Sequence, residues 1–268
     1  MQERRDISRA AAVAVVTSSL LAEPVLGTPQ PLLGGHGNEN WLVEVTERLV
    51  VCKIAHAAAD PGKLRAAWLA HGLVQQAGVP TGRPLSFLER CKELGGRPVR
   101  LLEFVDGDPA QAVLSRPDRV QPFFTSLGET VAELHGIPVP TFTSRVDGSA
   151  PEFEQWADYV SYRLDQVTER ARSADVFSDD DLRELVADVE PLANLVSPVV
   201  TPALTHRDLY LDNLLSNRRG DRCTLVDWDN AEAWDPVVDL VKLRWQVFSR
   251  YPGASDTFWR AYRQRAAA

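Results

Sequence analysis

Residues 203–230 read ALTHRDLYLDNLLSNRRGDRCTLVDWDN, and this stretch decides the fold. Leu214, Leu215 and Ser216 read as one strand and Cys223 to Val226 as its partner, with Asn217-Arg218-Arg219-Gly220-Asp221 as the turn. A hairpin brings its two outer ends together, so Asn213 is expected beside Asp227. Both are hard oxygen donors, which suit a magnesium ion carrying phosphates. Asp208, just upstream, is then placed to orient a nucleophile. That is equipment for phosphoryl transfer.

The rest of the chain sets the bounds. At 268 residues it can hold one large domain or two small lobes. With 44% apolar and 25% charged residues, the composition is that of an ordinary globular protein. A net charge of −8 argues against a nucleic-acid partner. It fits a cationic substrate only weakly, because many enzymes are this acidic. Cys52, Cys91 and Cys223 are odd in number and widely spaced, which excludes a disulfide framework and a metal-ligand pattern. Cys52 and Cys223 sit inside strand patterns as small core residues. Arg4-Arg5 precedes the apolar run Ala10–Val16, but the run is short, Thr17-Ser18-Ser19 interrupts it and no clean cleavage site follows. Residues 6–22 read instead as an amphipathic helix with Ile7, Ala11, Ala14, Val15 and Ser18 on one face. No stretch reaches transmembrane length, so a cytoplasmic protein without a membrane partner is expected.

Pro24, Gly27, Pro29 and Pro31 mark a loop. Leu32 to Val45 reads as strand, glycine-rich turn (Gly34-Gly35-His36-Gly37-Asn38), strand. Glycines there let the backbone approach a phosphate. No Gly-Lys-Ser/Thr follows, and Gly62-Lys63-Leu64 lacks both the upstream glycine and the hydroxyl, so neither is a Walker loop. Leu49–Ile54 is a strand carrying Lys53 among apolar residues, a costly placement unless the ammonium meets an anion or snorkels to the surface. Residues 63–77 read as a helix with Leu64, Ala67, Trp68, His71 and Val74 on one side. Pro84–Leu88 and Val99–Phe104 are strands joined by the Lys92–Arg97 turn.

Beyond Gly107-Asp108-Pro109 the pattern turns mainly helical. Phe124, Leu127, Val131 and Leu134 keep a helical spacing up to His135, which reads as a cap or packing residue. Pro138–Ala150 is a loop, and Ser149–Glu152 a capping box. The box opens a long helix whose stripe is Phe153, Trp156, Val160, Leu164 and Val167. Its acids Glu152, Glu154, Asp158 and Asp165 read as a solvated face, with recognition of a substrate amine as the sharper alternative. Ser178 starts a further helix with Leu182, Leu185, Val186 and Val189, closed before Pro191.

H-x-D-x(4)-N at 206–213, a short hairpin and Asp-x-Asp at 227–229 together resemble the aminoglycoside phosphotransferase family, choline-kinase-like relatives of the protein kinases. Family members often read H-G-D-L-H-x-x-N; Arg207 replaces the glycine here and Tyr210 the second histidine. Gly34–Asn38 resembles the family's G-G-x-x-N element, and Lys53 matches the lysine that holds the α- and β-phosphates. Glu103-Phe104-Val105-Asp106-Gly107 resembles the hinge, whose backbone meets the purine; ATP is implied, with GTP as the alternative. Residues 235–240 resemble G-D-P-x-x-D-L, which makes Asp235 and Asp239 supports of the catalytic loop. His206 braces that loop, and Arg207 meets either a structural carboxylate or an acidic substrate. Asp229 shares the metal or lies just behind it.

The chain also departs from the pattern. No glutamate lies between Ile54 and Gln76 to pair with Lys53, which leaves Asp60 and Glu89 as candidates. Few residues follow Asp239, which implies a reduced acceptor wall, open or completed by a partner protein. The resemblance implies an α+β, bilobal protein-kinase-like fold, with a small antiparallel-sheet lobe (1–107) and a mainly helical lobe (108–268). The implied reaction moves the γ-phosphoryl group of ATP, with Mg2+, to a hydroxyl of a small molecule such as an aminoglycoside-like compound or amino alcohol. A Ser/Thr kinase acting on a peptide with a partner protein is one alternative, and a non-catalytic binding protein on a degenerate kinase fold is the other.

Overall fold

The structure of the protein, a computed structural model, describes residues 2–32 and 38–268, with side chains from residue 8 onward. Helix α1 (Gln2–Leu21) buries Ala10, Val13, Val16 and Thr17. This is not the expected face, since Ala11 and Val15 are exposed. Ala10–Val16 is an almost unbroken run of small apolar residues, so its periodicity selects no side, and the neighbouring sheet makes the choice.

That sheet comprises β1 (Val25–Leu32), β2 (Asn38–Val45), β3 (Leu49–Ala55), β4 (Pro84–Cys91) and β5 (Arg97–Glu103), in the antiparallel order β1-β2-β3-β5-β4. The proline-rich segment expected as a loop is its edge strand β1. Proline lacks an N–H, which an edge tolerates, and the register shifts between Leu26 and Gln30. Strand alternation sends Trp41, Val43, Val45, Val50, Cys52, Ile54, Val99 and Leu101 into a core shared with α1. At the rim, Arg9 and Arg97 donate to Glu39, tying α1 to β2 and β5. Arg9, aided by Trp41 and Arg97, lowers the Glu39 carboxyl to about 2 against the opposing effect of burial. The same alternation places Lys53 and its cross-strand partner Arg100 on the opposite face.

Helix α2 (Pro61–Gln76) starts at Asp60, whose carboxylate accepts from Gly62 N at 2.9 Å. Its Ala70 and Val74, with Val79 beyond it, belong to the second core rather than the first. The helix is therefore wedged between the lobes.

The helical lobe follows as β6 (Asp108–Pro109), α3 (Ala110–Leu114), α4 (Pro117–His135), β7 (Phe142–Thr143), β8 (Glu152–Phe153), α5 (Trp156–Ser173) and α6 (Asp179–Val196). Then come β9 (Ala203–Thr205), β10 (Leu214–Ser216), β11 (Cys223–Leu225), β12 (Glu232–Trp234), α7 (Val237–Lys242), a π-helical turn (Leu243–Val247) and α8 (Ala254–Ala266). Phe123, Phe124, Leu127, Val131 and Leu134 of α4 form the centre of its core. Helix α8 crosses α4 at Gly128, where a Cβ would come 2.5 Å from Phe258 O, so only glycine permits this approach. The C-terminal segment thus builds core.

Two helix boundaries differ from expectation. Ser149–Glu152 caps nothing: Glu152 and Phe153 pair with β7 as β8, and α5 begins only at Trp156. The π-faces of Phe142, Phe153, Trp156 and Tyr159 cluster here and outweigh the local capping signal. The Ser178 cap holds, with Ser178 and Asp181 bonded reciprocally, but α6 runs through Pro191 to Val196. The carbonyl that Pro191 leaves without a helical donor is that of Ala187, an exposed residue within reach of water.

Candidate active site

Strands β10 and β11 pair as Leu214↔Leu225, Leu215↔Thr224 and Ser216↔Cys223. The turn closes with Gly220 at φ +80°, its N–H donating to Asn217 O at 2.9 Å. The outer ends meet, and Val226 N donates to Asn213 O at 3.0 Å. Asn213 Nδ2 donates to Asp208 O at 2.9 Å and to Asp208 Oδ2 at 3.1 Å. Asp208, Asn213 and the residue before Asp227 are thereby linked in one network.

His206 joins the two halves of this network. Its Nε2 lies 2.9 Å from Val226 O and its Nδ1 3.3 Å from Asp208 N. A neutral ring protonated on Nε2 satisfies both, donating to the carbonyl and accepting from the amide. Burial lowers its pKa, outweighing the nearby carboxylate Asp239, which favours that neutral form. Asp239, itself buried, accepts from His206 N at 2.8 Å and from Arg207 N, and it meets His135 Nε2 at 3.1 Å. Asp235 does not reach the loop; it accepts from Val237 N at the start of α7.

Two residues of this site carry backbone conformations that L side chains rarely adopt: Arg207 at φ +62° and Asp227 at φ +69°. Arg207 stands where the resemblance has glycine, and side-chain contacts hold it there. Its Nη1 lies 2.6 Å from Glu232 Oε1, and its guanidinium stacks 4.2 Å from the centre of the Trp234 ring. Arg163 of α5 approaches the same Glu232 at 3.4 Å and the same ring at 5.0 Å. Of the two partners considered for Arg207, the structure supplies the structural carboxylate.

On the side facing the small lobe, Lys53 Nζ lies 2.6 Å from Asp227 Oδ1 and 3.2 Å from Asp229 Oδ2. The candidates Asp60 and Glu89 do not serve it: Asp60 pairs with Arg145, and Glu89 with Arg65 at 3.3 Å. Lys53 is a β3 residue facing the hairpin, whereas those acids lie at the rim of α2 and β4. Asp229 takes both Nη atoms of Arg100, the Nη2–Oδ2 distance being 2.8 Å, and Asn38 Nδ2 at 2.8 Å. Burial alone would raise the Asp229 pKa, but Lys53, Arg100 and Asn38 hold it well below the ordinary carboxylate range.

Sequence reading missed Arg100, Glu232, Arg163 and Lys242. Lys242 of α7 forms an ion pair with Asp208 Oδ1. A charged residue facing Lys53 across the β3–β5 register was the available signal for Arg100. For Glu232 and Lys242 no local signal exists. Gly34, Gly35, His36 and Gly37 lie outside the described residues, and Asn38 opens β2. In the hinge, the N–H groups of Glu103 and Phe104 donate to Arg83 O and Leu49 O, while Val105 lines a cavity of about 250 Å³ with Gly107, Thr81 and Leu215.

The residues fit a magnesium ion by donor chemistry. Asn213 Oδ1 and Asp227 Oδ2 accept no hydrogen bond among the described residues, and the Asp227 side chain is 38% exposed. Among the described residues no trio of His, Cys, Asp or Glu forms a protein-only cage. Two oxygen ligands completed by phosphate and water are what magnesium prefers.

The model of the phosphotransferase enzyme family matches residues 28–268. The chain belongs to that family. As a phosphotransferase it acts on a hydroxyl acceptor. Its fold is similar to that of aminoglycoside phosphotransferase APH(4)-Ia, at 14% identity and a TM-score of 0.65, over 96% of this chain and 83% of that one. A gentamicin complex of APH(2")-IIa gives 13% identity and a TM-score of 0.66, over 96% and 82%. A putative fructosamine-3-kinase from Haemophilus somnus gives 16% identity and a TM-score of 0.64, over 98% and 87%. At such identities the likeness is one of fold, the bilobal protein-kinase-like arrangement. No curated protein sequence matches the chain at a significant level. No helix among the described residues is long and apolar enough to cross a membrane.

Proposed function

We propose that this phosphotransferase moves the γ-phosphoryl group of ATP, with GTP as an alternative donor, to a hydroxyl of a small molecule. The observation that carries this reading is the meeting of Lys53, Asp227, Asn213 and Asp208 along one path from the sheet to the catalytic loop. In this reading Lys53 holds nucleotide phosphates, assisted by the backbone of 34–38, and the hinge at 103–107 meets the purine and divides the lobes 1–107 and 108–268. Asn213 and Asp227 hold magnesium, whose charge neutralises phosphate oxygens. Asp208 accepts a hydrogen bond from the acceptor hydroxyl and takes its proton late, which suits a loose transition state. Asn213 Nδ2 and Lys242 orient that carboxylate, and Lys242 yields it when the acceptor arrives. His206, Arg207 and Asp239 keep the loop in place, so most of the catalysis is positioning.

Acceptors like those the structural neighbours are named for, aminoglycosides and fructosamines, are the first to screen, with amino alcohols beside them. Mass spectrometry after incubation with Mg–ATP should find an acceptor heavier by one phosphoryl group. Asp208→Ala should remove that product while leaving the unfolding midpoint close to wild type. A wild type that neither binds Mg–ATP nor modifies any acceptor overturns the proposal.

A further inference from the structure

Helix α2 carries no acidic residue, so Lys53 lacks a partner from that helix. Lys53 and Arg100 sit opposite one another on β3 and β5, with side chains 6% and 5% exposed. Two adjacent buried cations repel and are costly without a shared anion. Asp229 is that anion. Arg100 grips it through both guanidinium Nη atoms, Lys53 reaches its Oδ2 at 3.2 Å, and Asn38 donates to the same oxygen. Asp227 differs: it touches Lys53 through Oδ1 alone. One carboxylate is committed on both oxygens and the other on one.

We propose that Asp229, fixed by Arg100, anchors Lys53 in this chain and takes the place of the acidic residue that α2 lacks. The inference rests on the reading of Lys53 as a phosphate-binding residue. Were Asp227 to bind a metal–nucleotide, Lys53 would lose its nearest partner, and Asp229 would still hold the ammonium in place to meet phosphate. Arg100 is a positioning residue that acts through Asp229. Because Arg100, Lys53 and Asn38 lie on the sheet and Asp229 follows the hairpin, the anchor also ties the two lobes together. The phosphate-binding lysine is therefore set by contact between the lobes, independently of any movement of α2.

The test uses the full chain, ATP and Mg2+. Nucleotide affinity is measured by calorimetry for wild type, Lys53→Met, Arg100→Gln, Arg100→Lys and the Lys53→Met/Arg100→Gln double variant. Arg100→Gln should weaken Mg–ATP binding about tenfold, the scale of coupling within one ion network, and Arg100→Lys should recover part of the loss. The double variant should bind no more weakly than Lys53→Met alone, because Arg100 acts only through Lys53. A merely structural role would lower the unfolding midpoint without producing that coupling. Unchanged binding by Arg100→Gln, or losses that multiply in the double variant, overturns the anchor while the functional reading stands. If Arg100→Gln does not fold, Asp229→Asn takes its place in the same cycle, with the same expected and overturning results. A wild type that does not bind Mg–ATP overturns the functional reading, and the anchor with it.

Discussion

On the small-lobe side of the catalytic hairpin, two cations share two carboxylates; on the far side, two cations share one. In the first cluster Lys53 and Arg100 face Asp227 and Asp229, and the pKa of Asp229 is pulled well down. In the second, Arg207 and Arg163 face Glu232 alone, and the Glu232 pKa is nevertheless raised. Burial is the largest influence on both carboxyls, and its cost is overcome only at Asp229, where Arg100, Asn38 and Lys53 all approach within 3.2 Å; at Glu232 only Arg207 comes that close, with Arg163 at 3.4 Å and the Tyr159 hydroxyl at 3.5 Å. Glu232 is closed in beneath Trp234 and Tyr159, its arginines stacked on aromatic rings. The first cluster keeps an exposed carboxylate edge at Asp227, which under the proposed function trades partners with a ligand; the second is a clamp on the loop.

Removing one carboxylate from each cluster tests that contrast most strongly. Asp227→Ala should cut phosphoryl transfer by roughly 10³-fold, about 4 kcal/mol of transition-state stabilisation, while its unfolding midpoint changes little. Steady-state ATP consumption with the acceptor found by screening measures the first, and urea unfolding the second. Glu232→Ala should show the reverse emphasis. It strands two mostly buried guanidinium groups, and stability should fall by about 4 kcal/mol. An unchanged urea midpoint for Glu232→Ala would dissolve the distinction between a clamp and an exchange site.

Between Asp227 and Asp229 in the chain lies Trp228, stacked with His71 and near His206. Burial lowers the His71 pKa to about 4, where His71 Nε2 meets Thr81 Oγ1 at 3.0 Å. The unfolded chain takes up that proton near pH 6.5, so stability is fully present above that pH and is lost as pH falls towards 4. The loss from this one group is about 3 kcal/mol across the window, read from urea midpoints at pH 7, 5.5 and 4.5. His71→Gln should flatten the slope, which separates this effect from carboxylate titration at lower pH.

The smallest expected effect concerns the clamp's backbone. Arg207→Ala and Arg207→Gly both lose the contact with Glu232, but only alanine retains the cost of φ +62°. The glycine variant should be the more stable of the two by about 1 kcal/mol in urea unfolding. Equal stabilities would mean that the loop relaxes out of its positive φ once the arginine is gone.

Much of the fold was legible because its signals are local. The β10–β11 hairpin follows from two short apolar runs around a Gly-containing turn, and its register sets Asn213 beside Val226 and Asp227. Strand β3 announces itself through one lysine among apolar residues. Local signals misled where context overrode them. Prolines read as a loop formed an edge strand, a capping box became part of a small sheet, and an apolar alanine–valine run turned the wrong face inward. In each case the deciding partner lay on another element.

The sequence by itself determined the chemistry: which oxygen-bearing and cationic side chains exist, in what order, and that a short hairpin draws Asn213 towards Asp227. The tertiary structure alone decided which charges meet. Arg100 and Asp229 are 129 residues apart and Lys53 and Asp227 are 174 apart, so no periodicity or spacing links them. These pairs form because packing the sheet over the hairpin removes water from buried cations, and the nearest carboxylates must then compensate them.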